Sequence, residues 1–259
     1  LFDRAQTVLT VCDLDGETLG RMEQRPWLDL VPGLPRRSGD LLVAWTDEAR
    51  RRLTIDGRAV TPADVHLRSY LGEIDGVHYV TACTNPAESR VGRIDSDGFR
   101  WLSEPGGYTT ATVESDLIIT SETTWGRYGA QVTVRDRDYA ALATVDSLAE
   151  VPQVAASPAL LPAGIEDVQV VVLMPSQQSS EPLPILMNPY GGPHAQRVLA
   201  ARSAYAGAQW LADQGFCVVI ADGRGTPGQS PAWEHAIAGD LRDAALEDQV
   251  TALERVVSA

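Results

Sequence analysis

The residues whose order points to chemistry lie in Pro184–Gln196, PILMNPYGGPHAQ. A buried run, Leu183–Met187, ends at Asn188-Pro189 and is followed by Tyr190-Gly191-Gly192-Pro193-His194. Two successive glycines accept backbone angles that side chains forbid, so the chain can turn sharply there. The turn falls at the carboxyl end of a strand, the edge at which open α/β sheets place their ligands. A tyrosine held at that edge presents its hydroxyl to a reaction centre. Spacing alone leaves the plainer alternative open, a strand-to-loop turn in which Tyr190 packs.

Two further motifs invite a chemical reading and resist it. Ala221-Asp222-Gly223-Arg224-Gly225-Thr226-Pro227-Gly228 is glycine-rich, but it has neither the GxGxxG nor the GxxxxGK[ST] spacing of a phosphate cradle. Asp222 and Arg224 are expected to form an ion pair or turn contacts. Ser230, His235 and Asp240 look like triad members gathered in one stretch. A triad serine needs a sharp elbow such as G-x-S-x-G, and Gly228-Gln229-Ser230-Pro231 is not one. His66 and His78 lack metal-like neighbours and are expected to be structural. Arg50–Arg52 reads as a basic patch balancing an acidic chain, and the scattered carboxylates of residues 1–150 as a solvated surface.

The elements that must carry these residues change character along the chain. Strand-like runs recur through residues 1–150 at Thr7–Cys12, Leu41–Trp45, Arg52–Ile55, His78–Ala82, Val91–Ile94, Leu117–Ser121 and Gln131–Arg135. Turn signals at Asp15-Gly16, Asp56-Gly57, Asp75-Gly76 and Asp97-Gly98 separate them. Antiparallel pairs of this kind suit a sandwich or a propeller, and at ~40–50 residues per blade the segment holds about three blades. Residues 147–165 are rich in Ala, Pro and Ser, as a domain connection is. Beyond them the pattern is strand (Val168–Met174), strand (Leu183–Met187), helix (Arg197–Asp213), strand (Phe216–Ala221) and helix (Asp240–Val257). Wholly apolar strands indicate a mixed or parallel sheet covered on both faces.

Composition bounds the function classes. The 259 residues are 44% hydrophobic and 22% charged, which is globular composition. No apolar run approaches the ~18 residues of a membrane-spanning helix, so no membrane partner is expected. The formal net charge is −14, and a polyanion is repelled at long range, so nucleic acid is not an expected partner either. Cys12, Cys83 and Cys217 lie far apart and suit neither a zinc site nor a disulfide scaffold. The chain begins at Leu1 in mid-pattern and ends in a helix without a terminator, and is read as a piece of a longer protein.

NPYGGPHAQ, then QWLADQGFCVVIADGRGTPG, Trp233 and LEDQVTALE together resemble the prolyl oligopeptidase family of serine peptidases, in its bacterial dipeptidyl-peptidase-IV-like branch. The resemblance covers residues 160–259 strongly and the preceding 150 far more weakly. It implies the last blades of a β-propeller over residues 1–150, followed over 151–259 by the N-terminal part of an α/β-hydrolase domain. It also implies a peptide substrate, no cofactor and no metal. In that family the strand-end tyrosine donates to the oxyanion hole, the place Tyr190 occupies. The nucleophilic serine follows the helix bearing the Asp-Gln pair, here Asp248-Gln249, and lies beyond Ala259, as do the triad's Asp and His. Asn188 departs from the Asp that relatives often carry. The alternatives are an esterase or acylaminoacyl-type hydrolase on the same fold, and a propeller scaffold without catalysis. A propeller cut to its last blades has an unpaired flank, which recruits other chains, so a homo-oligomer is a possible state.

Overall fold

A computed structural model describes residues 1–163, 167–177, 180–190 and 195–258. The chain opens with a hairpin, β1 (Val8–Cys12) and β2 (Thr18–Glu23). Three four-stranded antiparallel meanders follow in chain order. The first is β3 (Arg36–Ser38), β4 (Leu41–Asp47), β5 (Arg51–Ile55) and β6 (Arg58–Ala59). The second is β7 (His66–Ile74), β8 (Val77–Cys83), β9 (Arg90–Asp95) and β10 (Gly98–Trp101). The third is β11 (Gly107–Glu114), β12 (Leu117–Thr124), β13 (Gln131–Asp136) and β14 (Ala141–Val145). Sequential four-strand meanders are the topology of propeller blades, as the sequence suggests.

All four Asp-Gly signals fall at hairpin turns. At Asp56-Gly57 and Asp75-Gly76 both residues have positive φ, the conformation whose twist matches that of the flanking strands. The first two meanders and the hairpin share one core, in which Val43, Leu53, Leu67, Val80 and Ala82 are sealed from solvent. A smaller cluster of Ile74, Tyr79 and Ile118 joins the second meander to the third.

Residues 146–153 are exposed throughout and carry the chain away from the last meander. A second architecture then begins, a four-stranded mixed sheet of order β15-β16-β18-β17. Its strands are β15 (Ala159–Leu160), β16 (Gln169–Leu173), β17 (Ile185–Met187) and β18 (Cys217–Asp222). Val171, Leu173, Val218 and Ile220 face a core that includes α1 (Ala206–Ala212). Val170, Val172, Cys217 and Val219 face the other way, toward α3 (Asp243–Ser258). Burial on both faces is why these strands read as unbroken apolar runs. Among the described residues no helix is long and apolar enough to cross a membrane.

The helix expected over Arg197–Asp213 starts late. Arg202–Tyr205 is a 3-10 turn leading into α1, and the residues before it are extended. Their N–H groups are claimed elsewhere: Arg197 and Val198 donate to Asp222, Leu199 to the Tyr205 hydroxyl, and Ala200 to the Ala87 carbonyl. These contacts with Asp222, Tyr205 and Ala87 hold residues 197–200 in an extended path, and the helix begins after it. α3 starts three residues after the expected Asp240, whose carboxylate caps it by accepting the N–H groups of Arg242 and Asp243.

Two glycines in the same left-handed region separate strain from crowding. Gly76 has open space where a Cβ would stand, whereas a Cβ on Gly33 would be driven into the Tyr70 carbonyl. Gly76→Ala should therefore cost about 1 kcal/mol, and Gly33→Ala at least about 2 kcal/mol. Urea midpoints of the two variants check this, and equal losses would show that the contact at Tyr70 yields.

Candidate active site

Parallel pairing of β17 with β18 sends both strands out at one edge of the sheet. Asn188 extends the ladder by donating its N–H to the Val219 carbonyl at 2.8 Å. Tyr190 stands two residues beyond, beside Asp222-Gly223-Arg224 at the end of β18. It is 49% exposed and belongs to none of the four core clusters, so packing does not account for its place. A cavity of about 160 Å³ adjoins it, walled by Asp222–Arg224 and Thr226 on one side and by Leu241, Ala245 and Gln249 on the other. Gly191–His194, the rest of the motif, lie outside the described residues.

Asp222 anchors the return of the Tyr190 loop. Its buried carboxylate accepts the Arg197 N–H at 2.9 Å and the Val198 N–H at 2.7 Å. Burial pushes its pKa up to about 6, against the pull of these two donors. Arg197 reaches back across the motif, donating to the Asn188 carbonyl at 2.7 Å and to its side-chain oxygen at 3.0 Å. An amide oxygen thus suffices where relatives often carry a carboxylate.

The expected pairing of Asp222 with Arg224 is not formed, because each has other partners. Arg224 donates through Nε to Asp248 Oδ1 at 3.0 Å and through Nη2 to Glu247 at 2.8 Å. The Asp248 hydrogen bond, then that of Glu247, raises the guanidinium's pKa. Gly223 allows this approach, since a Cβ there would stand 2.5 Å from Asp248. The strand-end turn and α3 are thereby locked together.

The local Ser-His-Asp set is dispersed, as expected. Ser230 caps the short helix α2 (Pro231–His235), its hydroxyl accepting the Trp233 N–H at 3.1 Å. His235 faces Asp29 at 3.3 Å and lies edge-on to Trp27. Asp240 caps α3. Cys217 is buried in β18, and desolvation raises its thiol pKa. His78 is bonded to the Tyr70 hydroxyl at 2.9 Å, in keeping with a structural role.

The reading of Arg50–Arg52 as a solvated patch is corrected at Arg51. This side chain is buried, with Asp47 at 2.8 Å, Glu234 of α2 at 3.2 Å and Asp29 at 3.4 Å. Desolvation opposes its charge, but Glu234, Asp47 and Asp29 outweigh that and raise its pKa. Burial raises the pKa of Glu234, with Arg51 pulling the other way. His66 Nε2 lies 3.6 Å from Glu234, and burial followed by the Arg51, Arg68 and Arg50 charges holds its pKa well down. Two carboxylates of the first 150 residues, Asp29 and Asp47, thus belong to a buried cluster. Strand parity was the available signal, because Arg51 lies on the same face of β5 as the fully buried Leu53, two residues on.

Comparison with known proteins gives a family match and a shared fold. Residues 202–259 match the model of the prolyl oligopeptidase family. Over 91 residues the chain is 32% identical to mouse (Mus musculus) prolyl endopeptidase FAP, an alignment covering 34% of this chain and 11% of that protein. The dipeptidyl peptidase 4 structure from Porphyromonas gingivalis superposes with a TM-score of 0.78 at 17% identity, over 98% of this chain and 40% of its own. A Bacteroides ovatus structure named for dipeptidyl aminopeptidase IV gives 0.79 at 17% identity, over 99% and 43%. The chain therefore spans under half the length of each of these three proteins, and its fold is that of the two structures.

Asp222 supplies a test of the site's electrostatics. Its folded pKa lies above the ordinary 3.8, so the native state binds more protons between these values. The stability it contributes is present below the ordinary value and is lost as pH rises through about 6. The stability of the wild type minus that of Asp222→Asn, from urea titrations at pH 4 and pH 7, should fall with rising pH. A flat or rising difference would contradict a desolvated carboxyl.

Proposed function

We propose that this chain, whose residues 202–259 carry the prolyl oligopeptidase family match, is part of a serine-type peptidase hydrolysing short peptides by acyl transfer through a covalent intermediate. The carrying observation is Tyr190, half-exposed at the carboxyl end of a parallel strand pair, beside a cavity and outside every core cluster. In this reading its hydroxyl donates to the oxyanion of the tetrahedral intermediate. Such a donor strengthens as charge develops and so acts on kcat more than on KM.

Residues 151–259 are read as the N-terminal part of an α/β-hydrolase domain, and residues 1–150 as the C-terminal part of a propeller that restricts access to small peptides. The mixed sheet supports the first assignment: β15-β16-β18 is antiparallel, β17 joins in parallel, and β17 has no outer partner among the described residues. That edge is where a strand carrying the nucleophile would add. The nucleophile, base and orienting acid are assigned to residues outside this sequence, which has no serine on a G-x-S-x-G elbow.

In the full-length enzyme, Tyr190→Phe should lower kcat by about 10²–10³ with little change in KM. Steady-state kinetics on proline-containing dipeptide anilides measures this, and a kcat/KM within about threefold of wild type would return Tyr190 to a packing role. The 259-residue chain alone should turn over neither these anilides nor p-nitrophenyl esters. Turnover abolished by His235→Ala would show that the local Ser-His-Asp set assembles after all.

A further inference from the structure

Two arginines of the blade sheets, Arg51 buried and Arg68 partly buried, lie beneath the frame of Tyr190, and the reaction proposed above uses neither. That frame has two parts, the segment 195–198 that closes the tyrosine's loop and the turn 223–228 that walls its cavity. Arg51 reaches the turn through α2. Its Nη2 donates to Glu234 Oε2 at 3.2 Å, and Glu234 Oε1 accepts the Gly228 N–H at 3.1 Å. The neighbouring Trp233 donates Nε1–H to the Gly223 carbonyl at 2.9 Å and accepts the Gly225 N–H on its own carbonyl at 3.0 Å. Helix α2 thus holds both ends of the turn, and Arg51 holds α2.

Arg68 reaches the other part. Both of its terminal nitrogens lie 3.3 Å from Gln196 Oε1, and one also donates to the Pro86 carbonyl. Gln196 in turn donates to the same carbonyl and adjoins Arg197, whose N–H is fixed by Asp222. The two grips meet at Gly228, where a Cβ would stand 2.5 Å from Arg68 Nη2.

We propose that Arg51 and Arg68 are positioning residues for Tyr190, gripping from the blade side the turn that walls its cavity and the segment 195–198. The proposal rests on the catalytic reading of Tyr190. A guanidinium suits the task because its charge is permanent and its planar fork fixes angle as well as distance. The tolerance is narrow: catalytic groups must be held within about 0.5 Å, and a 1 Å misplacement can cost about 10²-fold.

The test is a double-mutant cycle on kcat in the full-length enzyme, using a dipeptide anilide and counting active sites with a serine-reactive phosphonate. Arg51→Met and Glu234→Gln break the first grip, Gln196→Ala breaks the second, and each is crossed with Tyr190→Phe. With Tyr190 present, each should lower kcat per active site by about tenfold or more, with KM within about threefold. In the Tyr190→Phe background the same changes should cost less than about twofold, because the group being positioned has gone. Glu234→Gln keeps the side-chain volume and an acceptor for Gly228, and carries the test if Arg51→Met does not fold. Equal losses in both backgrounds, or fewer active sites at unchanged kcat, would reduce the arginines to structural supports. An unchanged kcat in Tyr190→Phe itself would overturn the catalytic reading, and the positioning with it, while leaving the hydrogen bonds described here untouched.

Discussion

A guanidinium removed from water among carboxylates is the constraint on which the arrangement of this chain turns. Arg51 is 7% exposed, and its three acidic partners come from a loop, from the adjacent strand and from a helix 183 residues away. Taking such charges out of water costs several kcal/mol per ion, which close partners must offset. With Glu234 displaced, Arg51 would keep Asp47 and Asp29 but lose the carboxylate that ties it to α2. The cluster joins the two architectures alongside the apolar contacts of Ala87, Trp125 and Tyr128 with the core of the mixed sheet.

The end of the mixed sheet follows a similar logic with neutral donors. Asp222 holds backbone N–H groups of the segment returning from Tyr190, while Asp248 holds the Arg224 side chain beneath the opposite wall. Neither carboxylate is free to act on a substrate. Their work leaves Tyr190 the exposed polar side chain that the strand end presents.

Legibility in the sequence tracked the range of the interaction concerned. The Asp-Gly turns, the apolar strands of the mixed sheet and the position of Tyr190 depend on neighbours a few residues apart, and each is found where the spacing placed it. β7 escaped because its alternation is broken by irregularities at Leu67/Ser69 and Tyr70/Gly72, so the period-two signal slips twice within nine residues. β14 escaped because every residue in it is exposed, leaving no buried face to read. The late start of α1 depends on Asp222 and Ala87, remote in sequence, which hold residues 197–200 in an extended path. Arg51 was misread for the same reason, since charge suggests solvent until a partner far along the chain is known.

The exposed passage from residue 146 to residue 153 has a corollary for the chain as an object that proteases meet. Unburied backbone of this kind is where nicking concentrates. A cut there would sever the covalent tie between the blade sheets and the mixed sheet. It would leave intact the ion pair of Arg51 with Glu234, the grip of Arg68 on Gln196, and the stacking of Trp125 on Tyr205 at 5.8 Å. The two pieces would migrate apart in denaturant yet travel as one particle in native buffer. In that sense the molecule is already a split protein, with complementation built into its interior.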